Sequence, residues 1–128
     1  MRYMLDTNTC VFLMKNRMEV VEQYKRNKRY GIAISMITVS ELQFGVYNSE
    51  RLEKNAVSLA GFLTGFDLLD YDGGAAFEYG RLRAALRRNP NRSPGYAHFL
   101  FSLHFAFRAA HGVMWYLDKS TSAKDTRV

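Results

Sequence analysis

The chain has 128 residues, 48% of them hydrophobic and 23% charged, with a formal net charge of +6 at pH 7. This fits one folded domain with a real core and excludes a disordered chain. No apolar run is long enough to span a bilayer, so no membrane partner is expected, and the single Cys10 excludes an internal disulfide and suits a reducing cytoplasm.

Met1-Arg2 leads straight into Tyr3-Met4-Leu5, which reads as a short buried strand, so no signal peptide is expected. The strand runs into Asp6-Thr7-Asn8, and apolar residues return at Val11, Phe12, Leu13 and Met14 as a helix. A buried strand has no reason to end in a carboxylate, and the open ends of parallel strands are where an α/β sheet places its ligands. The plainer reading is that Asp6 or Asn8 caps the helix.

Glu19 to Asn27 reads as a polar helix with Val20, Val21 and Tyr24 on one side. It ends in Lys25-Arg26-Asn27-Lys28-Arg29, a run that serves equally as a solvated helix end or as a phosphate contact. Ile32 to Ile37 is the second strand. Thr38-Val39-Ser40-Glu41 then matches a capping box, with Thr38 as the cap and Glu41 reaching back to it. Glu41 thus repeats the setting of Asp6, an acid between an apolar strand and a helix. Ser49 to Phe62 is an amphipathic helix with Leu52, Ala56, Leu59, Ala60 and Leu63 along one stripe. Phe66 to Tyr71 is a third strand, Asp72-Gly73-Gly74 turns, and Ala75 to Arg88 is a helix. Ala76, Tyr79, Leu82 and Leu86 face inward on it, with Arg81, Arg87 and Arg88 outside. The alternation predicts an α/β fold, a mainly parallel sheet with helices on both faces, and right-handed crossovers then bring Asp6 and Glu41 to one edge.

After Arg88 the pattern changes. Both prolines, all three histidines and the only tryptophan lie there, and no strand, cap or turn signal continues the earlier rhythm. A Ser-His-Asp site is a weak reading because no nucleophile elbow is present. His98, His104 and His111 lack metal-ligand spacing. Two strand-end carboxylates suit a hard divalent cation, which activates water and stabilises the leaving oxygen of a phosphodiester. Two are few for that task, and Asn8 and Thr7 are the neighbours placed to support them. Asp118 could join them, although it falls in the atypical segment.

Met4-Leu5-Asp6-Thr7-Asn8, Ile37 to Leu42 with Gly45 following, Leu68 to Asp72 and Arg81-Leu82-Arg83-Ala84 resemble a PIN domain of the VapC type, the toxins of bacterial toxin–antitoxin pairs. The resemblance covers Met1 to about Arg88. It implies a PIN-like three-layer sandwich and a Mg²⁺-dependent endoribonuclease, with Mn²⁺ as an alternative ion. It also implies a cognate antitoxin as partner and a homodimer. Asp6 and Glu41 map onto the family's first two metal-binding acids. The substrate expected is single-stranded or looped RNA, with Lys25, Arg26, Lys28, Arg29, Arg81, Arg87 and Arg88 on its phosphates. An aspartyl-phosphate at Asp6 is a weaker reading, because the second acid two residues on is absent.

The family's third acid and its later Thr-Asn-Asn strand end are missing. Residues 89–128 form the atypical part of a single 1–128 domain. Yet Asn89 to His98, written in permitted codons (AAT CCC AAT CGG TCC CCT GGA TAT GCT CAT) and read one base later, gives Ile-Pro-Ile-Gly-Pro-Leu-Asp-Met-Leu-Ile, the family's next motif. The lost acid falls at Gly95. A weaker match of the same kind lies at Leu117 to Thr126. The reading that follows is a PIN domain whose last third is out of frame. Its activity is impaired, and its tail is not expected to supply the next parallel strand. The alternative is a catalytically dead remnant that still binds antitoxin through its N-terminal helices.

Overall fold

Strand and helix alternate as the sequence predicts in the computed structural model, which describes residues 3–88, Leu103, Ala106, His111, Gly112 and 114–116. Strand β1 (Tyr3–Leu5) leads through helices α1 (Thr7–Met14) and α2 (Met18–Asn27) and a 3₁₀ turn (Lys28–Tyr30) to β2 (Ile32–Ser35). Helices α3 (Met36–Tyr47) and α4 (Leu52–Leu63) connect to β3 (Asp67–Leu69), and α5 (Gly73–Arg87) follows. Strand β4 is Met114–Tyr116. All pairings are parallel, in the order β3-β2-β1-β4.

The β1–β2 register sets Tyr3 against Ile32, Met4 against Ala33 and Leu5 against Ile34. Strand alternation therefore splits the core. Leu5, Ile32 and Ile34 pack with Cys10 of α1, Val39, Leu42 and Val46 of α3, and Leu59 of α4. Met4 points the other way, against Ile37 and Leu69. The β1-to-β2 and β2-to-β3 crossovers step in the same direction and lay α1 to α4 on one face. The return to β4, at the far side of β1, carries α5 across the other.

Local signals explain the boundaries. Helix α1 ends in a left-handed Asn16 (φ 56°), with Asn16 N–H donating to Leu13 O and Arg17 N–H to Phe12 O, a Schellman turn in which Asn replaces the usual Gly. Gly31, at φ 85° and ψ 130°, turns the chain into β2 where a side chain would be strained.

Four sequence expectations are corrected. Strand β2 stops at Ser35, not Ile37, and the cap of α3 is Ser35, whose Oγ accepts the Thr38 N–H at 3.2 Å. Thr38 is therefore buried inside the helix and Glu41 is not part of a capping box. Ser35-x-x-Thr38 overlaps Thr38-x-x-Glu41 at the same spacing, and burial of Ile37 against Met4 favours the earlier start. On α4, Ala60 is exposed and Leu52 lies at the rim. On α5, Ala75 rather than Ala76 is the buried alanine, and the helix starts two residues sooner. Lastly, the tail does supply a parallel strand. Met114, Trp115 and Tyr116 pair with Tyr3, Met4 and Leu5. The open edge of β1 offers unpaired N–H and C=O groups to any extended segment that reaches it. The expectations for Pro90, Pro94, Gly95, His98, His104 and Asp118 lie outside the described residues.

Candidate functional site

The carboxyl edge of the sheet carries the acids. Asp6 follows the last residue of β1, in extended conformation (φ −83°, ψ 172°), and its Oδ1 accepts the Thr9 N–H at 2.8 Å. The cap reading of Asp6 is therefore correct, and it engages only one of the two carboxylate oxygens. Because Leu5 pairs with Ile34, Asp6 stands level with Ser35, the cap of α3. Glu41 lies on α3 beyond Ser35, half-buried, with its Oε1 shielded from solvent.

Cys10 lies between the two elements that carry the acids, α1 and α3. It lies one helical turn beyond Asp6, fully buried in the face where α1 meets α3. Burial holds its thiol far above the ordinary thiol range. The negative charge of Asp6 adds to this, and so, more weakly, does that of Glu41. Asp6 thus acts on this side chain from the end of β1, and Glu41 from within α3. Beside them Thr7 Oγ1 is buried and makes no hydrogen bond among the described residues, while Asn8 is exposed. Two carboxylates and an unpartnered hydroxyl are hard oxygen donors of the kind Mg²⁺ takes. In kind the residues fit such an ion. In number they are few, and among the described residues no group of three His, Cys, Asp or Glu could hold a metal.

The predicted phosphate contacts are not brought together with the acids. Lys25 and Arg26 end α2, and Lys28 and Arg29 form the turn that enters β2, so all four lie towards the amino edge of the sheet. Arg81, Arg87 and Arg88 are exposed on α5 or just past it, and Arg81 is bound to Glu78 at 2.8 Å.

Two features escaped the sequence reading. Asp72 caps α5 by accepting the Ala75 N–H at 2.9 Å, and its Oδ2 lies 3.6 Å from His111 Nε2, tying the distant tail to this helix. The motif containing Asp72 was visible, but its partner is separated from it by the whole of α5. A groove of about 350 Å³ also opens between α2 and α4, lined by Leu13, Val21, Tyr24, Phe62 and Phe66 with Lys25 at its rim. No helix among the described residues is long and apolar enough to cross a membrane.

The model of the PIN domain family matches residues 3–94. A tRNA(fMet)-specific endonuclease VapC of Shigella flexneri is 38% identical over 88 residues, covering 69% of this chain and 67% of that protein. Ribonuclease VapC2 of Rickettsia felis is 38% identical over 93 residues, with the same coverage of both chains. Among solved structures, VapBC2 from Rickettsia felis bound to a DNA fragment from its promoter superposes with a TM-score of 0.80. That match is 28% identical and covers 97% of this chain and 92% of the other.

Proposed function

The chain belongs to the PIN-domain family, among its VapC-type members, and on that premise we propose that it is an endoribonuclease toxin whose partner is a cognate antitoxin. The observation that carries the reading is the position of Asp6 at the carboxyl end of β1, level with Ser35, the cap of the helix that carries Glu41. It is supported by the ribonuclease names of the relatives and by the toxin–antitoxin complexes among the structural neighbours.

Asp6 and Glu41 would hold Mg²⁺, or Mn²⁺ in its place. When bound, such an ion activates water and stabilises the leaving oxygen of a phosphodiester. The chain's own contribution is placement. The Thr9 N–H fixes the Asp6 carboxylate by one oxygen, α3 carries Glu41, and Thr7 and Asn8 follow Asp6 at the start of α1. Single-stranded or looped RNA is the substrate. We place the protein in the cytoplasm, where that RNA is.

With two acids, the 128-residue chain is inactive or severely impaired, since loss of one essential group of a catalytic unit costs orders of magnitude in rate. The test is cleavage of labelled single-stranded RNA, with and without Mg²⁺, by a chain read one base later from Asn89 onward. That chain should cleave, and Asp6→Ala or Glu41→Gln should abolish it. A folded, frame-restored chain that does not cleave overturns the ribonuclease reading. Robust cleavage by the chain as it stands, lost in Asp6→Ala, would show that the present donors suffice.

The small donor set favours a second reading, a remnant that keeps only antitoxin binding, through α1, α2 and the groove beside α4. Single-turnover cleavage by the frame-restored chain, set beside antitoxin titration of both chains, separates the two. The remnant binds antitoxin with its groove intact and loses affinity in Tyr24→Ala and Phe62→Ala.

A further inference from the structure

The edge of the sheet opposite the carboxylates has features of its own. Tyr3 N–H donates to Gly31 O at 2.9 Å, so the 3₁₀ turn Lys28–Tyr30 sits beside the start of β1. The length of β1, about 10 Å at the usual rise per residue, separates this turn from Asp6. The helix dipole accounts for Lys25 and Arg26, in the last turn of α2. It does not account for Lys28 and Arg29, which lie past the helix end.

Arg26, Lys28 and Arg29 are exposed, and among the described residues no carboxylate pairs with any of them. An aromatic surface accompanies these cations. The Arg29 guanidinium lies 4.7 Å from the centroid of the Tyr30 ring, and its Nη2 donates to Tyr30 Oη at 2.6 Å. Tyr30 is 42% exposed and meets Tyr3 edge-on, with ring centroids 6.1 Å apart. Cations without a carboxylate partner, beside a partly exposed ring that already carries a guanidinium, are the elements by which proteins hold single-stranded nucleic acid.

We propose that this amino edge is a second RNA-binding site, an anchor for a single-stranded or looped segment other than the one delivered to Asp6 and Glu41. The proposal rests on the ribonuclease reading above and specifies its substrate. The RNA must be long enough, or folded enough, to reach both edges of the sheet. An acidic protein segment would use the cations but would have no use for the ring.

The experiment measures binding, not cleavage. The full chain is titrated, with Ca²⁺ in place of Mg²⁺ so that RNA can bind at the acids without being cleaved, against a labelled hexanucleotide and a long stem-loop RNA. The triple variant Arg26→Ala/Lys28→Ala/Arg29→Ala is expected to weaken the stem-loop at least tenfold, to leave the hexanucleotide within twofold, and to reduce the log–log salt slope by about 2. Tyr30→Leu, which keeps apolar bulk, should weaken the stem-loop about fivefold or more. Circular dichroism checks that each variant is folded. Equal losses for both RNAs, or no loss, overturn the anchor while leaving the ribonuclease reading in place. A triple variant that loses the stem-loop while Tyr30→Leu does not, with equal capture of a poly-glutamate peptide, assigns the edge to an acidic protein and overturns the anchor. A wild-type chain that binds neither RNA overturns both readings together.

Discussion

One oxygen of Asp6 holds the Thr9 N–H, so substitutions at this position separate folding from ligand binding. Asn keeps an acceptor and is itself a good cap. Asp6→Asn should leave the unfolding free energy within a few tenths of a kcal/mol, whereas Asp6→Ala should cost about 1 kcal/mol. Both should abolish Mg²⁺ binding, read by calorimetric titration beside urea unfolding. Cys10 offers a second measurement at this scale. Burial and the two carboxylates hold its thiol protonated in the folded chain, while in the unfolded chain it ionises near pH 8.5. A raised folded pKa favours folding below the unfolded value and loses that contribution as pH rises above it. Stability should therefore decline above about pH 8.5, by up to roughly 1.4 kcal/mol per pH unit from this group. Cys10→Ala should flatten that part of the profile, measured as the difference between the two proteins.

At the scale of the element, the start of α3 is where sequence and structure disagree most instructively. Ser35 and Thr38 both precede a suitable partner three residues on, and nothing local chooses between them. Packing of Ile37, alongside Leu69, on Met4 makes the choice. Ser35→Ala should then destabilise the protein by about 1 kcal/mol. Glu41→Gln should change stability little while weakening metal binding, as fits a carboxylate with no capping role. Equal destabilisation by the two would restore the capping box. Elements set by period and punctuation were legible from the sequence. Tyr3–Leu5 breaks at Asp6, and Val20 faces the core on α2. What could not be read was anything set by a distant partner, such as Ala75 facing inward or Asp72 meeting His111.

For the whole molecule, strand–helix alternation was sufficient to predict the parallel sheet. It could not place Met114–Tyr116 beside β1, because no periodic signal in the tail announces a strand. Nor could spacing reveal that Lys25 to Arg29 lie away from the acids, since that depends on strand direction. The family match ends at residue 94, close to where the text of the chain changes. We propose that the coding DNA carries a small frame-changing deletion near the Arg88 codon, and its sequence on either side of that codon is the check. The homodimer is also a proposal. Phe44 and Tyr47, three residues apart on α3, are each more than 70% exposed, an apolar surface of the kind that marks association. Phe44→Glu/Tyr47→Glu should shift sedimentation from dimer to monomer without loss of helix signal, and an unchanged dimer would place the interface elsewhere.

The position of β1 has a consequence for how the protein is made. Tyr3–Leu5 leaves the ribosome before the other strands, yet it lies inside the sheet, between β2 and the last strand, β4. Strands β1, β2 and β3 with α1 to α4 can assemble during synthesis, but one flank of the earliest strand stays bare until β4 has been made. Throughout that interval the nascent chain presents an apolar ribbon able to pair with another nascent chain, so slow elongation late in the message should raise the yield of aggregates.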